Sequence, residues 1–389
     1  MPLFSDPSVG IADPLLRRAY IVADRGRGTV SPNPLVGCVV ARDGRVVAEG
    51  HHARAGGPHA EVVALDAAGP GARGADVYVT LEPCDHHGRT PPCTERLLAE
   101  GVASVTIGMR DPDTSVSGGG AERLAAGGVR VRFADDPGPF RAQNEAWLTR
   151  LVHRRPFVRV KAALTLDARP ALSAGTRSAI TSSGGRDVTM RLRAESTAIM
   201  VGAGTVDVDD PILTARGPLE EHAARTPRRY VLARTSLPAP GARVFQTPPE
   251  CAAVIASDAA DPDALETLRN AGVRVIGYPA DGGILAALEA LAADGVDDVL
   301  VEPGPRLMTA LVESEAIDEL VTITAGGLGG DEAPAWYTGP ITGAAERLAP
   351  LFVPIESGIV GTDVVTVWRT VVGSPSGIGK GSALRCSLV

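Results

Sequence analysis

The sequence predicts an α/β protein built as two domains. Short runs rich in Val, Ile and Ala alternate with helical patterns along most of the chain, the pattern of a largely parallel sheet covered by helices. The 389 residues suffice for more than one hydrophobic core. A Pro137-Gly138-Pro139 run followed by Arg155-Pro156 marks the place where one domain gives way to the next.

The elements follow in order. Residues 13–25 carry Leu16, Ala19, Tyr20 and Ala23, a helical stripe. Residues 36–40 and 46–49 flank Arg42-Asp43-Gly44-Arg45, a hairpin signal. A helix over 59–67 is followed by a strand over 76–81 that runs into Glu82-Pro83-Cys84. A helix over 94–100, a strand over 104–107, a helix over 121–126 and a strand over 129–133 complete a first domain at 1–150. Residues 140–152 read as one more helix, able to pack on either domain.

The second domain, 155–373, opens with a strand over 157–164 and a helix over 186–194. Strands over 198–201, 229–233 and 252–256 follow, then helix 263–271, strand 273–277, helix 284–293, strand 298–302 and helix 306–313. Residues 374–389, rich in Gly and Ser, are expected to form a disordered tail.

A net charge of -8 argues against a polynucleotide partner, which needs clustered Lys and Arg, and favours a small substrate. Met1-Pro2-Leu3-Phe4-Ser5-Asp6 lacks the basic and apolar regions of a signal peptide, and the most apolar run, 284–293, is too short to span a bilayer. Five cysteines, odd in number and widely spaced, suit a reducing compartment. Cys386, fourth from the end, formally resembles a prenylation box, but the terminal Val389 argues against that reading. A cytoplasmic protein is expected.

The chemistry concentrates in three places: His59-Ala60-Glu61, Pro83-Cys84 and Cys93. One imidazole and two thiols supply three ligands and leave the fourth position of a tetrahedral Zn2+ open, as a catalytic zinc requires. A His two residues before a Glu, followed by Pro-Cys and a second Cys, is the zinc-deaminase pattern, with Glu61 as the non-ligand proton shuttle. The competing reading is a structural zinc closed by His86 or His87, which leaves Glu61 without a task.

Polynucleotide deaminases usually separate the two cysteines by two residues, whereas here eight intervene, Asp85 to Pro92. Ser31-Pro32-Asn33-Pro34-Leu35-Val36-Gly37, Pro58-His59-Ala60-Glu61-Val62 and the stretch from Thr80 to Cys93 closely resemble the bifunctional riboflavin-biosynthesis deaminase/reductase family. In the second domain Lys161-Ala162-Ala163-Leu164-Thr165-Leu166-Asp167, Ile180-Thr181-Ser182, the run from Gly202 to Pro211, Leu213-Thr214-Ala215-Arg216 and Val301-Glu302-Pro303-Gly304-Pro305 extend the resemblance over nearly the whole chain.

That resemblance implies a cytidine-deaminase-like domain followed by a dihydrofolate-reductase-like domain, a phosphoribosyl-pyrimidine substrate, NADPH, and a homo-oligomer. It assigns Asn33 and His52 to the pyrimidine or ribose and Arg89 to the phosphate, which an amide and a guanidinium suit. It places Arg177, Arg193, Leu213, Arg216 and Glu302 around the reductase substrate, and Ala163, Ala179, Thr205, Asp209 and Gly304 around the cofactor. Gly202, Gly204 and Gly304 follow strands and permit close backbone approach to phosphates, although each glycine is equally a turn residue.

The chain departs from the family pattern at several positions. Asp113 stands where the family has Asn, Ala168 for a Gly, Ala179 for a Trp, Arg177 for a small polar residue, Pro303 for a Gly, and Gly326-Gly327 for Pro-Lys. These changes leave open a working deaminase joined to an inactive or altered reductase-like domain, in riboflavin biosynthesis or a related specialised pathway. A nucleic-acid deaminase and a non-catalytic zinc module are the remaining alternatives.

Overall fold

The computed structural model describes residues 3–4, 6–87, 91–112, 119–175, 178–215, 227–246, 251–340, 343–344, 347–348 and 351–370. It divides into two compact units, residues 1–151 and 152–389. The expected tail at 374–389 lies outside the described residues.

In the first unit α1 (Pro14–Ala23), β1 (Gly37–Arg42), β2 (Arg45–His51), α2 (Ala60–Ala68) and β3 (Asp76–Leu81) come first. They are followed by α3 (Cys93–Glu100), β4 (Ser104–Met109), α4 (Gly120–Ala126), β5 (Arg130–Phe133), α5 (Gly138–Gln143) and α6 (Glu145–His153). The sheet order is β2-β1-β3-β4-β5, antiparallel across β2-β1-β3 and parallel across β3-β4-β5. Asp43 and Gly44 close the hairpin with φ of 51° and 72°, the left-handed pair that a two-residue turn matching strand twist demands.

Alternation along β1 builds a layer on each face of the sheet. Cys38 and Val40 pack with Ala64 and Leu65 of α2, Leu97 of α3 and Leu124 of α4. Val39 and Ala41 pack with Leu16 and Tyr20 of α1, Phe140 of α5 and Trp147 of α6. Two departures from expectation occur at the end of this unit. Pro137-Gly138-Pro139 is not a linker but the start of α5, and the single helix expected over 140–152 is broken at Asn144.

The second unit contains β6 (Phe157–Leu164), α7 (Ser183–Glu195), β7 (Ala198–Gly202), α8 (Ala203–Asp209), β8 (Arg228–Ala233), β9 (Ala252–Ser257), α9 (Pro262–Asn270) and β10 (Arg274–Tyr278). It continues with α10 (Gly283–Ala293), β11 (Asp298–Val301), α11 (Pro305–Glu313), β12 (Glu319–Thr324), the short ribbon β13 (Gly343–Ala344) and β14 (Arg347–Leu348), β15 (Phe352–Val360) and β16 (Asp363–Thr370).

Its nine-stranded sheet runs β10-β9-β8-β7-β11-β6-β12-β16-β15. The first seven strands are parallel, and the last two add an antiparallel edge. Val158, Val160, Met200, Tyr230, Val299 and Val301 form its core with Leu288 and Leu291 of α10 and Met308 and Leu311 of α11. The apolar run at 284–293 is therefore a core helix. Among the described residues no helix is long and apolar enough to cross a membrane.

Candidate functional sites

The first site gathers where α2, the exit of β3 and α3 meet. His59 is the N-cap of α2 and Cys93 opens α3, while Cys84 lies in the loop after β3. His59 Nδ1 lies 3.2 Å from Cys93 Sγ and 3.5 Å from Cys84 Sγ, and one donor atom from each residue falls within 4.8 Å of the others. Zinc–sulfur and zinc–nitrogen bonds in tetrahedral array imply an N···S separation of about 3.5 Å, so the donor set fits Zn2+. Among the described residues no other His, Cys, Asp or Glu joins this group. His87 is exposed and pairs with Glu95 at 3.2 Å, so the His-closed structural site finds no fourth ligand there.

Glu61, in the first turn of α2, is buried against this cluster. Burial pushes its carboxyl up to about 7, and Cys84 adds to the rise. The hydrogen bond from Cys93 draws the Cys84 thiol well below the usual range against the effect of burial, with His59 assisting. The Cys84 hydrogen bond in turn raises His59. A carboxyl poised near neutrality beside a metal-type donor set has the character of a proton carrier.

The Cys84 loop is clamped from below. Glu82 is buried and accepts from Ala121 N–H of α4 at 3.0 Å, while Gly120 leaves no room for a Cβ beside the Pro83 carbonyl. Thr94 donates its hydroxyl to Asp85 at 2.5 Å, and Thr94 N–H reaches the Cys84 carbonyl at 3.2 Å.

Asn33 and His52 are also brought together. Asn33 Nδ2 lies 2.9 Å from His52 Nε2, and His52 Nδ1 lies 2.9 Å from the Pro58 carbonyl. A carbonyl accepts only, so Nδ1 carries the proton and Nε2 accepts from Asn33. Burial lowers the pKa of His52, consistent with this neutral form. Both ring nitrogens are thereby occupied, and His52 orients Asn33. The expected phosphate contact Arg89 and the departure at Asp113 lie outside the described residues.

In the second unit Glu302 and Gly304 follow the carboxyl end of β11 and Thr205 lies in α8 directly after β7, at the end of the strands where open parallel sheets bind ligands. Gly202 caps α8 and Gly304 caps α11, neither with a side-chain hydrogen bond. A Cβ on Gly304 would touch Thr205 Oγ1 at 3.5 Å, so Thr205 and Gly304 are neighbours, and a Cβ on Gly204 would point into open space. An open backbone at the start of α11 suits a pyrophosphate-bearing cofactor such as NADPH. Ala163 lies on β6 opposite Ile323, Asp209 ends α8, and Ala179 is exposed ahead of α7.

Arg193 of α7 grips Glu302 through two hydrogen bonds, 2.6 and 3.0 Å, and also donates to the Thr214 carbonyl at 3.2 Å. Lys161 Nζ stands 3.3 Å from the same carboxylate. Burial alone would raise the Glu302 pKa, but Lys161 and then Arg193 outweigh it and hold the carboxyl at about 2. Lys161 joins the assigned residues here; its signal is a second charged side chain, after Arg159, in a mostly apolar strand. Leu213 is buried with φ 56°, a strained conformation for a branched side chain. Arg177 and Arg216 lie outside the described residues.

Residues 12–109 match the cytidine and deoxycytidylate deaminase zinc-binding region, and residues 156–344 match the RibD C-terminal domain. The fold expected from the sequence is the one found: a cytidine-deaminase-like domain followed by a dihydrofolate-reductase-like domain of the RibD type. The riboflavin biosynthesis protein RibD of Escherichia coli (strain K12) is 38% identical, over 90% of this chain and 96% of its own length. The protein of the same name from Aquifex aeolicus (strain VF5) is 37% identical, over 80% and 85%.

Two solved structures are similar throughout. Acinetobacter baumannii RibD superimposes with a TM-score of 0.82 at 32% identity, over 92% of this chain and 98% of that one. A Thermotoga maritima diaminohydroxyphosphoribosylaminopyrimidine deaminase/5-amino-6-(5-phosphoribosylamino)uracil reductase gives 0.77 at 32% identity, over 92% and 97%. The chain belongs to the RibD family of riboflavin biosynthesis proteins.

Proposed function

We propose that the protein catalyses two consecutive steps of riboflavin biosynthesis. The first unit hydrolyses the exocyclic 2-amino group of 2,5-diamino-6-(5-phosphoribosylamino)pyrimidin-4-one. The second reduces the ribosyl chain of the resulting uracil to ribityl with NADPH. The observation that carries this reading is the buried Glu61 beside the His59, Cys84 and Cys93 donors, in a chain of the RibD family.

His59, Cys84 and Cys93 would hold the zinc. When bound, zinc supplies the Lewis acidity that makes water a nucleophile near neutral pH. Glu61 would take a proton from the attacking water and deliver it to the departing nitrogen, so that water is consumed and ammonia released as C–N gives way to C–O. Asn33, held by His52, pairs with the pyrimidine edge, and Arg89 receives the phosphate.

In the second unit Gly304, Gly202 and Thr205 receive NADPH with Ala163, Ala179 and Asp209, and the cofactor supplies the hydride. Lys161, Arg193 and Glu302 fix the charge at the reacting end of the sugar, and the family resemblance assigns Arg177, Leu213 and Arg216 to the same substrate. The same reading carries a cytoplasmic homo-oligomer; light scattering on the purified protein tests the assembly.

The test gives purified zinc-loaded protein the diaminopyrimidine phosphate with and without NADPH. Ammonia should appear in both cases, with NADPH oxidised in equal amount only after deamination. Ammonia without NADPH oxidation removes the second step, and no ammonia removes the first.

A further inference from the structure

Asn144 sits at the break between α5 and α6, 2% exposed and 109 residues along the chain from Leu35. Its Oδ1 accepts from Leu35 N–H at 2.7 Å, and its Nδ2 donates to the Leu35 carbonyl at 3.0 Å. One side-chain amide thus stands in for a neighbouring strand. Leu35 is itself buried, so without Asn144 both backbone groups would lose these bonds where water does not readily replace them.

The junction is secured on either side. Gln143 donates to the Tyr20 carbonyl of α1 at 2.9 Å, and Arg150 of α6 donates to the Pro32 carbonyl at 2.8 Å. The bonds to Pro32 and Leu35 straddle Asn33, whose own N–H is tied to the Val30 carbonyl at 2.8 Å. One residue past the clamp, the Val36 carbonyl accepts from His52 N–H at 3.0 Å. The backbone that Asn144 holds therefore carries Asn33 and registers His52.

We propose that Asn144 is a positioning residue for the deaminase pocket, holding Leu35 so that the Asn33 amide meets the pyrimidine edge. His52 already occupies one Asn33 N–H, which leaves the second N–H and Oδ1 to face a ring that offers an acceptor and a donor side by side. Asn144 touches no reacting atom; its influence passes through the Leu35 backbone. The inference rests on the reading above, in which Asn33 faces the substrate.

The test measures steady-state ammonia release by full-length zinc-loaded wild type, Asn144→Ala, Asn33→Ala and the double variant. Zinc content and NADPH-dependent reduction of the already deaminated compound are measured alongside. Asn144→Ala should raise KM for the diaminopyrimidine about 10- to 100-fold, with zinc content and reduction at wild-type levels. The double variant should have the KM of Asn33→Ala alone, because Asn144 acts through Asn33.

A purely structural role would lower thermal stability and leave KM unmoved, and that result overturns the proposal. So does a KM increase that multiplies with that of Asn33→Ala. If Asn144→Ala does not fold, Asn144→Asp keeps the acceptor for Leu35 N–H, loses the donor, and should give an intermediate KM; an unchanged KM overturns the proposal equally. Absence of ammonia from the wild type would instead overturn the functional reading beneath it.

Discussion

Replacing Glu302 by Gln removes the one negative charge shared by Lys161 and Arg193, and its cost can be worked in two ways. The carboxyl is held at about 2 against an ordinary 4.5. That shift of roughly 2.5 pKa units corresponds to about 3 kcal/mol in favour of the folded state at neutral pH. Independently, breaking a buried ion pair by removing one partner costs about 3–5 kcal/mol, because the remaining cations lose their compensation. The two figures agree, and all three side chains are mostly buried, so solvent screening does not erase the effect.

The sign with pH follows from the depression. Glu302 contributes fully above the unfolded value of 4.5, and its contribution is lost as pH falls through 4.5 towards about 2. The gap between wild type and Glu302→Gln should therefore shrink from about 3 kcal/mol at pH 7 to roughly half that at pH 3. Urea unfolding followed by the fluorescence of Trp336 and Trp368, in a Trp147→Phe background, reads this unit. Equal stability at pH 7, or a gap that does not narrow on acidification, would refute the charge balance inferred here. NADPH oxidation should fall with the substitution, while ammonia release stays at the wild-type rate.

Three further outcomes are expected. Glu61→Gln should retain zinc and the reduction step yet lose deamination by about 10²- to 10⁴-fold, the usual contribution of a proton carrier; near-normal ammonia release would remove Glu61 from the chemistry. His59→Ala should lose the metal, and full zinc occupancy by elemental analysis would contradict the ligand assignment. Ala168 has φ 57°, so Ala168→Gly relieves a left-handed strain of about 1–2 kcal/mol against an entropic loss of about 0.5–1. Net stabilisation of about 0.5–1 kcal/mol, some 1–2 °C in melting temperature, is expected, and a lower melting temperature would count against it.

Features legible in the sequence were those written locally. Asp43-Gly44 names its own turn, and the spacing of His59, Cys84 and Cys93 announces the donor cluster that the fold assembles. Non-local features were harder to see. Gln143-Asn144-Glu145 contains no Gly or Pro, so nothing in the run announces a helix break; the break accompanies an amide bonded to Leu35, remote in sequence. α8 begins Ala203-Gly204-Thr205-Val206, a poor helix former that depends on its surroundings. β15 carries Pro354, Glu356 and Gly358 and shifts register between Pro354 and Glu356, which an edge strand tolerates and an alternating pattern hides. The charge role of Lys161 is not written locally, because it depends on Glu302 just beyond the end of the neighbouring strand β11.

The departures from the family pattern become interpretable once they are placed. Ala168 and Gly326-Gly327 belong to one junction beyond the adjacent strands β6 and β12. Leu166 N–H bonds the Gly327 carbonyl at 2.8 Å, and Asp167 accepts from Gly329 and Gly330 N–H at 2.8 and 2.9 Å. The Thr165 hydroxyl, and then those two amides, hold the Asp167 carboxyl well below its usual range. A Cβ on Gly326 or Gly327 would meet nothing within 4 Å, so the glycines vacate space where the family places larger residues, while the junction itself stays hydrogen-bonded. Pro303 lies in the short loop between β11 and α11, and Gly304 still opens α11. Pro303 follows Glu302 directly, and the Glu302 carboxylate still pairs with Lys161 and Arg193. Ala168, Pro303 and Gly326-Gly327 thus lie in the loops that follow β6, β11 and β12, and they leave in place the charged group that the proposed reduction uses.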